Sequence, residues 1–259
     1  MSFHPPNRSD AASPQSARNI NSRLEAQSSK LKTHNSRLCF VCVGAGSGSR
    51  FGREKLGQNI GDRTVFASAL GGLVAAFPAA PVVVVVASEH LQMWRGRLLE
   101  AFPTATFVGG GARRQDSVRA GVNAAIDLGA GVVAIHDAAR PLVDPRDVQD
   151  VVGGLGDADG AILTARVSDT IKRIDPNGRV VETVDRETVG LALTPQVFRV
   201  ASLETAWGAA GSGGEWTDES ALLESAGMKV LSVVARHPNP KVTTEADLAV
   251  IRALAGTAR

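Results

Sequence analysis

A glycine-rich segment early in the chain is the first place where residue types point to chemistry. Gly44, Gly46 and Gly48 follow a short apolar run, and Arg50 and Lys55 come next. Glycine lets the backbone turn tightly and bring its N–H groups up to an anion, and cations after such a turn can contact phosphate oxygens. The spacing matches neither the dinucleotide fingerprint nor the Walker loop. We expect a phosphate-binding loop of another kind, with a flexible turn as the alternative.

An aspartate and an arginine follow a second apolar run, in the segment from His136 to Pro141. In an open α/β sheet the carboxyl ends of the strands face the ligand crevice, where Asp137 would be placed for a ribose hydroxyl or for Mg²⁺. The same spacing fits a structural ion pair between Asp137 and Arg140 beside a half-buried His136. From the residues alone, both interpretations stay open.

Two further segments lead from predicted strands into helices. Residues 109–117 begin with three glycines and end in Asp116 and Ser117. Backbone N–H groups at such a helix start can bind a base or a phosphate, while an N-cap formed by Ser117 or Asp116 is the ordinary explanation. Lys241 stands just ahead of the last predicted helix, and by charge alone it is typical of a solvated side chain.

Cys39 and Cys42 have the spacing of a redox or zinc pair. A zinc site would need further ligands, and the chain has no second cysteine pair. Strand positions three apart point to opposite faces, so we expect two small buried side chains on a core strand. So few cysteines are typical of a reducing compartment.

Short β-branched runs alternate with helical patterns from Leu38 onward, which predicts an α/β fold: a Rossmann-like, mostly parallel sheet with helices on both faces. The predicted strands are 38–43, 82–87, 104–108, 132–136, 161–167 and 230–235. The predicted helices are 65–77, 91–101, 117–128, 144–153, 195–209, 217–226 and a last one capped by Thr243 or Thr244. Residues 168–194 break the alternation, and their Asn177-Gly178 turn predicts a β-hairpin arm that projects from the sheet.

The composition excludes several classes of protein. The chain of 259 residues has 28 Lys and Arg against 26 Asp and Glu, and a net charge of +2 does not by itself indicate a nucleic-acid or membrane partner. Aromatic residues make up 4% of the chain, too few to provide a stacking surface for bases. No apolar run approaches the roughly 20 residues of a membrane helix.

The first 37 residues differ from the rest of the chain. They hold six basic and two acidic residues, a net charge of +4, which leaves −2 for the remainder. This segment lacks apolar periodicity, so we expect a disordered tail over residues 1–37 and a folded domain over 38–259. An untargeted bacterial extension, and with it a cytoplasmic location, is the simpler interpretation. A transit peptide for a plastid is the alternative, because the segment is basic and rich in serine.

Eight motifs in order resemble the 2-C-methyl-D-erythritol 4-phosphate cytidylyltransferases, sugar-phosphate nucleotidyltransferases of the non-mevalonate isoprenoid pathway. They are residues 44–50 with Lys55, 110–118, 136–141, 169–173, 183–186, 194–198, 217–219 and 239–243. The resemblance runs from about Leu38 to the C-terminus. It implies a nucleotidyltransferase fold and transfer of CMP from CTP to methylerythritol phosphate, with release of pyrophosphate and with Mg²⁺ or another divalent cation as cofactor.

The resemblance also implies roles for individual residues. Arg50 and Lys55 match the family's catalytic cations. The nucleotide-binding matches are Gly44, Ala45, Gly46, Gly48, Gly111, Arg114 and Ser117. The substrate-binding matches are Asp137, Arg140, Thr170, Arg186, Thr194 and Lys241, with Asp137 also the implied metal ligand. In this family the arm from about residue 166 to 188 exchanges with a second subunit, so we expect a homodimer with Arg186 acting across its interface.

The chain departs from the family pattern in several places, including the glycine-rich loop and the segment of Lys55. Gly44 stands where the family usually has the first alanine of Pro-Ala-Ala-Gly, and Glu54 replaces the proline before Lys55. Two alternatives therefore accompany the expected activity. One is the same fold acting on another sugar phosphate such as ribitol 5-phosphate, and the other is a nucleotide-binding homologue without catalysis.

Overall fold

One mixed sheet organises the part of the chain that the structure, a computed structural model, describes: residues 37–46, 54–211 and 214–257. The strands are β1 (Arg37–Val43), β2 (Asn59–Ile60), β3 (Arg63–Thr64), β4 (Val82–Val86), β5 (Thr106–Gly109), β6 (Ala130–Asp137), β7 (Gly160–Arg166), β8 (Ile171–Ile174), β9 (Val180–Val184), β10 (Gly190–Arg199) and β11 (Val230–Val234). The helices are α1 (Val65–Ala76), α2 (Leu91–Leu98), α3 (Arg114–Asp127), α4 (Pro145–Gly154), α5 (Val200–Ala210), α6 (Glu219–Ser225) and α7 (Glu245–Thr257).

The main sheet has the strand order β11-β7-β10-β6-β1-β4-β5. Its neighbours are parallel except at β10, which lies antiparallel between β6 and β7. Parallel strands covered on both faces need continuous aliphatic runs, and the five valines of β4 are buried along its whole length. The predicted α/β fold with a mostly parallel sheet is confirmed.

Helices cover both faces of this sheet. Helix α3 packs on β1 and β4, where a Cβ added to Gly121 would lie 2.4 Å from Val41 Cγ1 and 2.6 Å from Val85 Cγ2. Because only glycine allows so close an approach, this contact fixes the helix against the sheet and sets its first residue, Arg114, near the carboxyl ends of the strands. Helices α5 and α6 extend the same core, while α1 and α4 pack together on the opposite face.

The prediction of a helix over 195–209 is wrong in its first part. Residues Pro195 to Arg199 belong to β10, and α5 begins at Val200. Gln196, Val197 and Phe198 are buried because strands pair with them on both sides. Tertiary pairing therefore outweighs the local helical pattern, and a proline at a helix start proved a misleading signal here.

The projecting hairpin is present as predicted. Strands β8 and β9 pair antiparallel, with Ile171 opposite Val184, and the turn between them includes Gly178 at φ +81°. The prediction for the last helix is also confirmed. Thr244 Oγ1 accepts the N–H of Asp247, and the Asp247 carboxylate accepts the N–H groups of Thr243 and Thr244.

Cys39 and Cys42 are free and fully buried on β1, as expected for small core side chains. Burial raises the pKa of the Cys39 thiol to about 12, so this side chain is a neutral core residue.

No helix within the described ranges is long and apolar enough to cross a bilayer.

Candidate active site

Asp137, the last residue of β6, is surrounded by three cations, of which Arg114 and Lys241 are far from it in the sequence and Arg140 is three residues away. Lys241 Nζ lies 2.7 Å from its Oδ2, Arg140 Nε 3.9 Å from the same oxygen, and Arg114 Nε 3.7 Å from Oδ1. The Asp137 residue is only 8% exposed. Burial by itself would raise the pKa of this carboxyl, but Lys241, Arg114 and Arg140 outweigh it and lower the pKa to about 2.

Backbone contacts hold Lys241 beside Asp137. Arg140 Nη1 donates to the carbonyl of Asn239 at 2.9 Å, and the Asn239 side chain accepts the N–H of Leu142 at 3.1 Å. The N–H of Val242 donates to the carbonyl of Ala139 at 2.8 Å. The segment that carries Lys241 is therefore attached to the loop after β6 on both sides of the lysine.

His136 holds the loop after β6 through hydrogen bonds of both ring nitrogens. It is fully buried, with Nε2 3.0 Å from the carbonyl oxygen of Arg140 and Nδ1 3.0 Å from Thr194 Oγ1. A carbonyl only accepts, so Nε2 carries the proton and the Thr194 hydroxyl donates to Nδ1. Burial lowers the pKa of His136 to about 4, and the ring is neutral at pH 7. The alternative of a satisfied structural histidine is confirmed for His136.

Thr194 also accepts the backbone N–H of Asp137, at 3.1 Å. Its hydroxyl is buried and shared between Asp137 and His136, so the structure places it as a support for the aspartate. The substrate contact that the resemblance implies for Thr194 stays a prediction.

The loops after β1 and β5 lie against each other. A Cβ added to Gly110 would be 2.6 Å from Ala45 Cβ and 2.7 Å from Ser117 Oγ, and the N–H of Gly111 donates to that hydroxyl at 3.1 Å. Gly44 donates to the carbonyl of Val85 at 2.7 Å, which continues the sheet into the loop. The structure thus brings together four of the predicted nucleotide-binding residues: Gly44, Ala45, Gly111 and Ser117.

The alternative in which Ser117 is an N-cap is wrong. Helix α3 begins at Arg114, so Ser117 lies a full turn inside it. The Asp116 carboxylate accepts the N–H of Arg113 at 3.2 Å and closes the first turn. Ser117 Oγ donates to the carbonyl of Arg113 at 3.1 Å and accepts the N–H of Gly111, so it joins the helix start to the glycine loop.

Lys55 is half-buried and stands between Glu54 and the buried Leu56. Leu56 Cδ1 would lie 2.9 Å from a Cβ at Gly44, so the segment of Lys55 packs at the loop after β1. Glu54 accepts the N–H of Gly57 at 2.8 Å and lies 3.4 Å from Arg97 Nη1. Gly46 is exposed and is the last described residue before residue 54, and the predicted residues Gly48 and Arg50 lie outside the described residues.

Two predicted substrate-binding residues lie in the arm. Thr170 is exposed, and Arg186 donates from Nη1 to the carbonyl of Ser168 at 2.8 Å and lies 3.7 Å from Glu187. These contacts of Arg186 stay within the arm. Within this single chain, the structure does not join Arg186 to the cations around Asp137 by any contact among the described residues.

Glu219 is a site residue to which the sequence assigned no role. It is the first residue of α6 and only 3% exposed, and Arg114 Nη1 lies 3.0 Å from its Oε1 and 2.9 Å from its Oε2. Burial raises the pKa of Glu219, and the Arg114 guanidinium opposes that shift. The motif Thr217-Asp218-Glu219 carries a helix-start signal, but nothing in it reveals that the glutamate is buried against Arg114.

Comparison with known proteins decides the family. The model of the family described as 2-C-methyl-D-erythritol 4-phosphate cytidylyltransferase matches residues 38–256. The chain belongs to this family. A cytidylyltransferase of that name from Aeromonas hydrophila is 37% identical over 217 residues, which cover 82% of this chain and 87% of the relative.

Other relatives agree with this membership of the cytidylyltransferase family. The "Bifunctional enzyme IspD/IspF" of Rhodospirillum rubrum is 37% identical over 214 residues, 82% of this chain and 55% of that protein, so the chain spans about half the length of such bifunctional relatives. The crystal structure of the Thermus thermophilus 2-C-methyl-D-erythritol 4-phosphate cytidylyltransferase superimposes with a TM-score of 0.65 at 28% identity, covering 85% of this chain and 99% of that one.

The donor set at Asp137 decides what kind of metal site fits. Within the described ranges no group of three or more His, Cys, Asp or Glu side chains could hold a metal ion. Mg²⁺ is commonly bound by one or two carboxylates together with substrate phosphates. Asp137 Oδ1, with its nearest cation at 3.7 Å, fits such a site, whereas Oδ2 is bound to Lys241.

Proposed function

We propose that this protein transfers CMP from CTP to 2-C-methyl-D-erythritol 4-phosphate and releases pyrophosphate, forming 4-diphosphocytidyl-2-C-methyl-D-erythritol for isoprenoid precursor synthesis. The observation that carries the proposal is the cluster of Lys241, Arg114 and Arg140 around Asp137, in a chain that belongs to the cytidylyltransferase family. The cluster lies at the carboxyl end of β6, where open α/β sheets bind their ligands.

The reaction is an in-line displacement at phosphorus. An oxygen of the acceptor phosphate forms a bond to the α-phosphorus of CTP, and the bond from that phosphorus to the oxygen bridging to the β-phosphate breaks. The electron pair leaves with pyrophosphate. Because the nucleophile is already an anion, no strong base is needed, and catalysis depends on alignment and on neutralising charge.

Different residues of this chain bind the acceptor, neutralise charge and bind the base. Lys241 and Arg140 bind the acceptor phosphate, and Asp137 fixes the lysine in place. Lys55, together with Arg50, stabilises the negative charge that grows on the α-phosphate. The loops that contain Gly44 and Gly111 bind the base through backbone groups.

Mg²⁺ belongs to this proposal. Asp137 would hold the ion with one carboxylate oxygen, and the ion would neutralise charge on the triphosphate.

A homodimer is also part of the proposed function. The arm and the strand that follows it expose Ile174, Val180, Val181 and Leu191 at 54% to 59%, which supports contact with a second copy.

The free, buried cysteines are consistent with the cytoplasmic location that we propose.

Pyrophosphate release tests the function. CTP, UTP, ATP and GTP are each paired with methylerythritol phosphate or ribitol 5-phosphate in the presence of Mg²⁺, and the product is identified by phosphorus NMR. We expect the fastest release with CTP and methylerythritol phosphate. Faster release with ribitol 5-phosphate would contradict the acceptor, and CTP binding without release from any pair would contradict the activity.

A further inference from the structure

Glu219 and Asp137 share one arginine. Arg114 Nη1 lies between the two oxygens of Glu219, at 3.0 and 2.9 Å, while its Nε stays 3.7 Å from Asp137 Oδ1. The contact with Glu219 is within hydrogen-bond distance and the contact with Asp137 is not. Arg114 is therefore bound to the carboxylate on α6 and held close to, but not on, the carboxylate at the end of β6.

This arrangement has an electrostatic reason. A buried carboxylate such as Glu219 is stable only with a partner, and Arg114 is the cation that the fold supplies. Without Glu219, the guanidinium would be attracted to Asp137, the nearest remaining anion at 3.7 Å. A direct pair with Arg114 would occupy the oxygen of Asp137 that Lys241 leaves available.

We propose that Glu219 is a positioning residue for the nucleotide: it binds Arg114 at Nη1 and so keeps both the rest of the guanidinium and Asp137 Oδ1 free to contact CTP and its metal ion. The proposal rests on the proposed function. Arginine has five N–H donors in a planar fork, so the groups that Glu219 does not bind remain for ligand oxygens. Glu219 itself touches neither substrate nor reacting atoms.

The neighbours of Glu219 are consistent with a pre-organised role. Asp218 caps α6 by accepting the N–H of Ala221 at 2.9 Å, and it accepts a hydrogen bond from Gln196 Nε2 at 2.8 Å. Gln196 lies on β10 opposite Ile135 of β6, two residues before Asp137. The start of α6 is thus tied to the strand that carries Asp137, which fixes the distance that Arg114 must span.

The first test substitutes Glu219→Gln, which keeps the size of the side chain and removes its charge. Asp159→Asn is the matched control. It also removes the charge of a carboxylate, one that binds Ser202 Oγ and the N–H of Lys229, but Asp159 lies just before the first residue of β7, away from Arg114. We expect Glu219→Gln to raise the KM for CTP, and its Kd by calorimetry, about tenfold. We expect kcat and the KM for methylerythritol phosphate to change less than twofold. Asp159→Asn should lower the melting temperature alone.

A double variant separates positioning from stability. Arg114→Met removes the arginine, and Glu219→Gln should have no further effect on CTP affinity in that background, although it should restore melting temperature by removing an unpaired buried carboxylate. A lowered melting temperature with an unchanged Kd for CTP in the single variant would overturn the proposal. An equal loss of affinity with and without Arg114 would overturn it as well.

The calorimetric measurement also keeps this proposal apart from the proposed function. If the wild-type protein binds CTP but releases no pyrophosphate with methylerythritol phosphate, the acceptor or the activity is wrong, and the effect of Glu219→Gln on CTP binding is still measured. If the wild-type protein turns over as proposed and Glu219→Gln binds CTP normally, the positioning role alone is wrong.

Discussion

The ammonium of Lys241 lies 2.7 Å from the carboxylate of Asp137, although 104 residues separate them along the chain. The pair is the shortest contact between Asp137 and the cations around it, and the segment on either side of the lysine is hydrogen-bonded to the loop after β6. Its charge alone predicted a solvated surface side chain for Lys241, but the fold holds this lysine at the proposed site.

Lys241→Met should lower both activity and stability. We expect kcat/KM for methylerythritol phosphate to fall about 100-fold, because the acceptor phosphate loses a cation. The free energy of unfolding should fall by roughly 2 kcal/mol, because Asp137 loses its nearest counter-ion while it stays buried. Steady-state kinetics and urea unfolding measure these effects. Lys229→Met is the control, since Lys229 forms an exposed pair with Asp157 and should change the free energy of unfolding by less than about 1 kcal/mol.

Lys55→Ala should reduce kcat by roughly 10²- to 10³-fold, the usual effect of removing one donor to transition-state charge. The KM for CTP should change less, because the proposed role of Lys55 develops as the α-phosphate gains charge. Single-turnover release of pyrophosphate measures the chemical step directly. Lys229→Ala serves as a control for the loss of one lysine, and wild-type turnover by Lys55→Ala would eliminate the proposed role.

Gly110→Ala should weaken CTP binding. The new methyl group would meet Ala45 Cβ at 2.6 Å and Ser117 Oγ at 2.7 Å, so the two loops must move apart. We expect the Kd for CTP to rise about tenfold or more, measured by calorimetry. Gly208→Ala is the control, because Gly208 lies in α5 with nothing within 4 Å of an added Cβ. That change should raise stability by roughly 0.5 to 1 kcal/mol and leave binding unaffected.

The buried neutral His136 should make stability fall on acidification. Its pKa of about 4 in the folded protein lies below the ordinary value of 6.5, so the unfolded chain binds more protons between these values. The contribution of His136 to the free energy of unfolding is complete above about pH 6.5 and is lost as the pH falls to about 4, by roughly 3 kcal/mol. Urea unfolding of the wild type and of His136→Asn from pH 7.5 to pH 4.5 measures the loss. Parallel curves for the two proteins would contradict this assignment.

The exposed arm should control assembly. Val181→Asp places a charge among apolar side chains on the hairpin and should shift the protein from dimer to monomer in sedimentation velocity. Val250→Asp is the control, because Val250 is 55% exposed on α7 and Val181 59% exposed on β9. A wild-type protein that sediments as a monomer, or a Val181→Asp variant that stays dimeric, would contradict assembly through the arm.

The sequence was sufficient for the parts of the fold that depend on local patterns. Strand β4 can be recognised from its run of five valines. The hairpin can be recognised from the Asn177-Gly178 turn, because glycine readily adopts the positive φ of such a turn. Strand β10 was missed over residues 195–199, because its burial comes from two neighbouring strands and not from its own pattern.

The same division applies to the site. Asp137 and the glycines of the two loops stand at strand ends, so sequence order locates them. Lys241 was assigned to the site only through the family resemblance, and Glu219 received no role, since their partners are about a hundred residues away. Spacing along a chain does not encode which distant charge a carboxylate will meet.

The wide separation of the residues around Asp137 also bears on how the protein matures. Arg114 comes from the start of α3 and Lys241 from the segment before α7, so bringing both to Asp137 requires long chain loops that form slowly. Until Lys241 has been translated, Asp137 lacks the counter-ion that lies nearest to it in the folded protein. We therefore expect the proposed activity to return late in refolding, when the whole domain is complete.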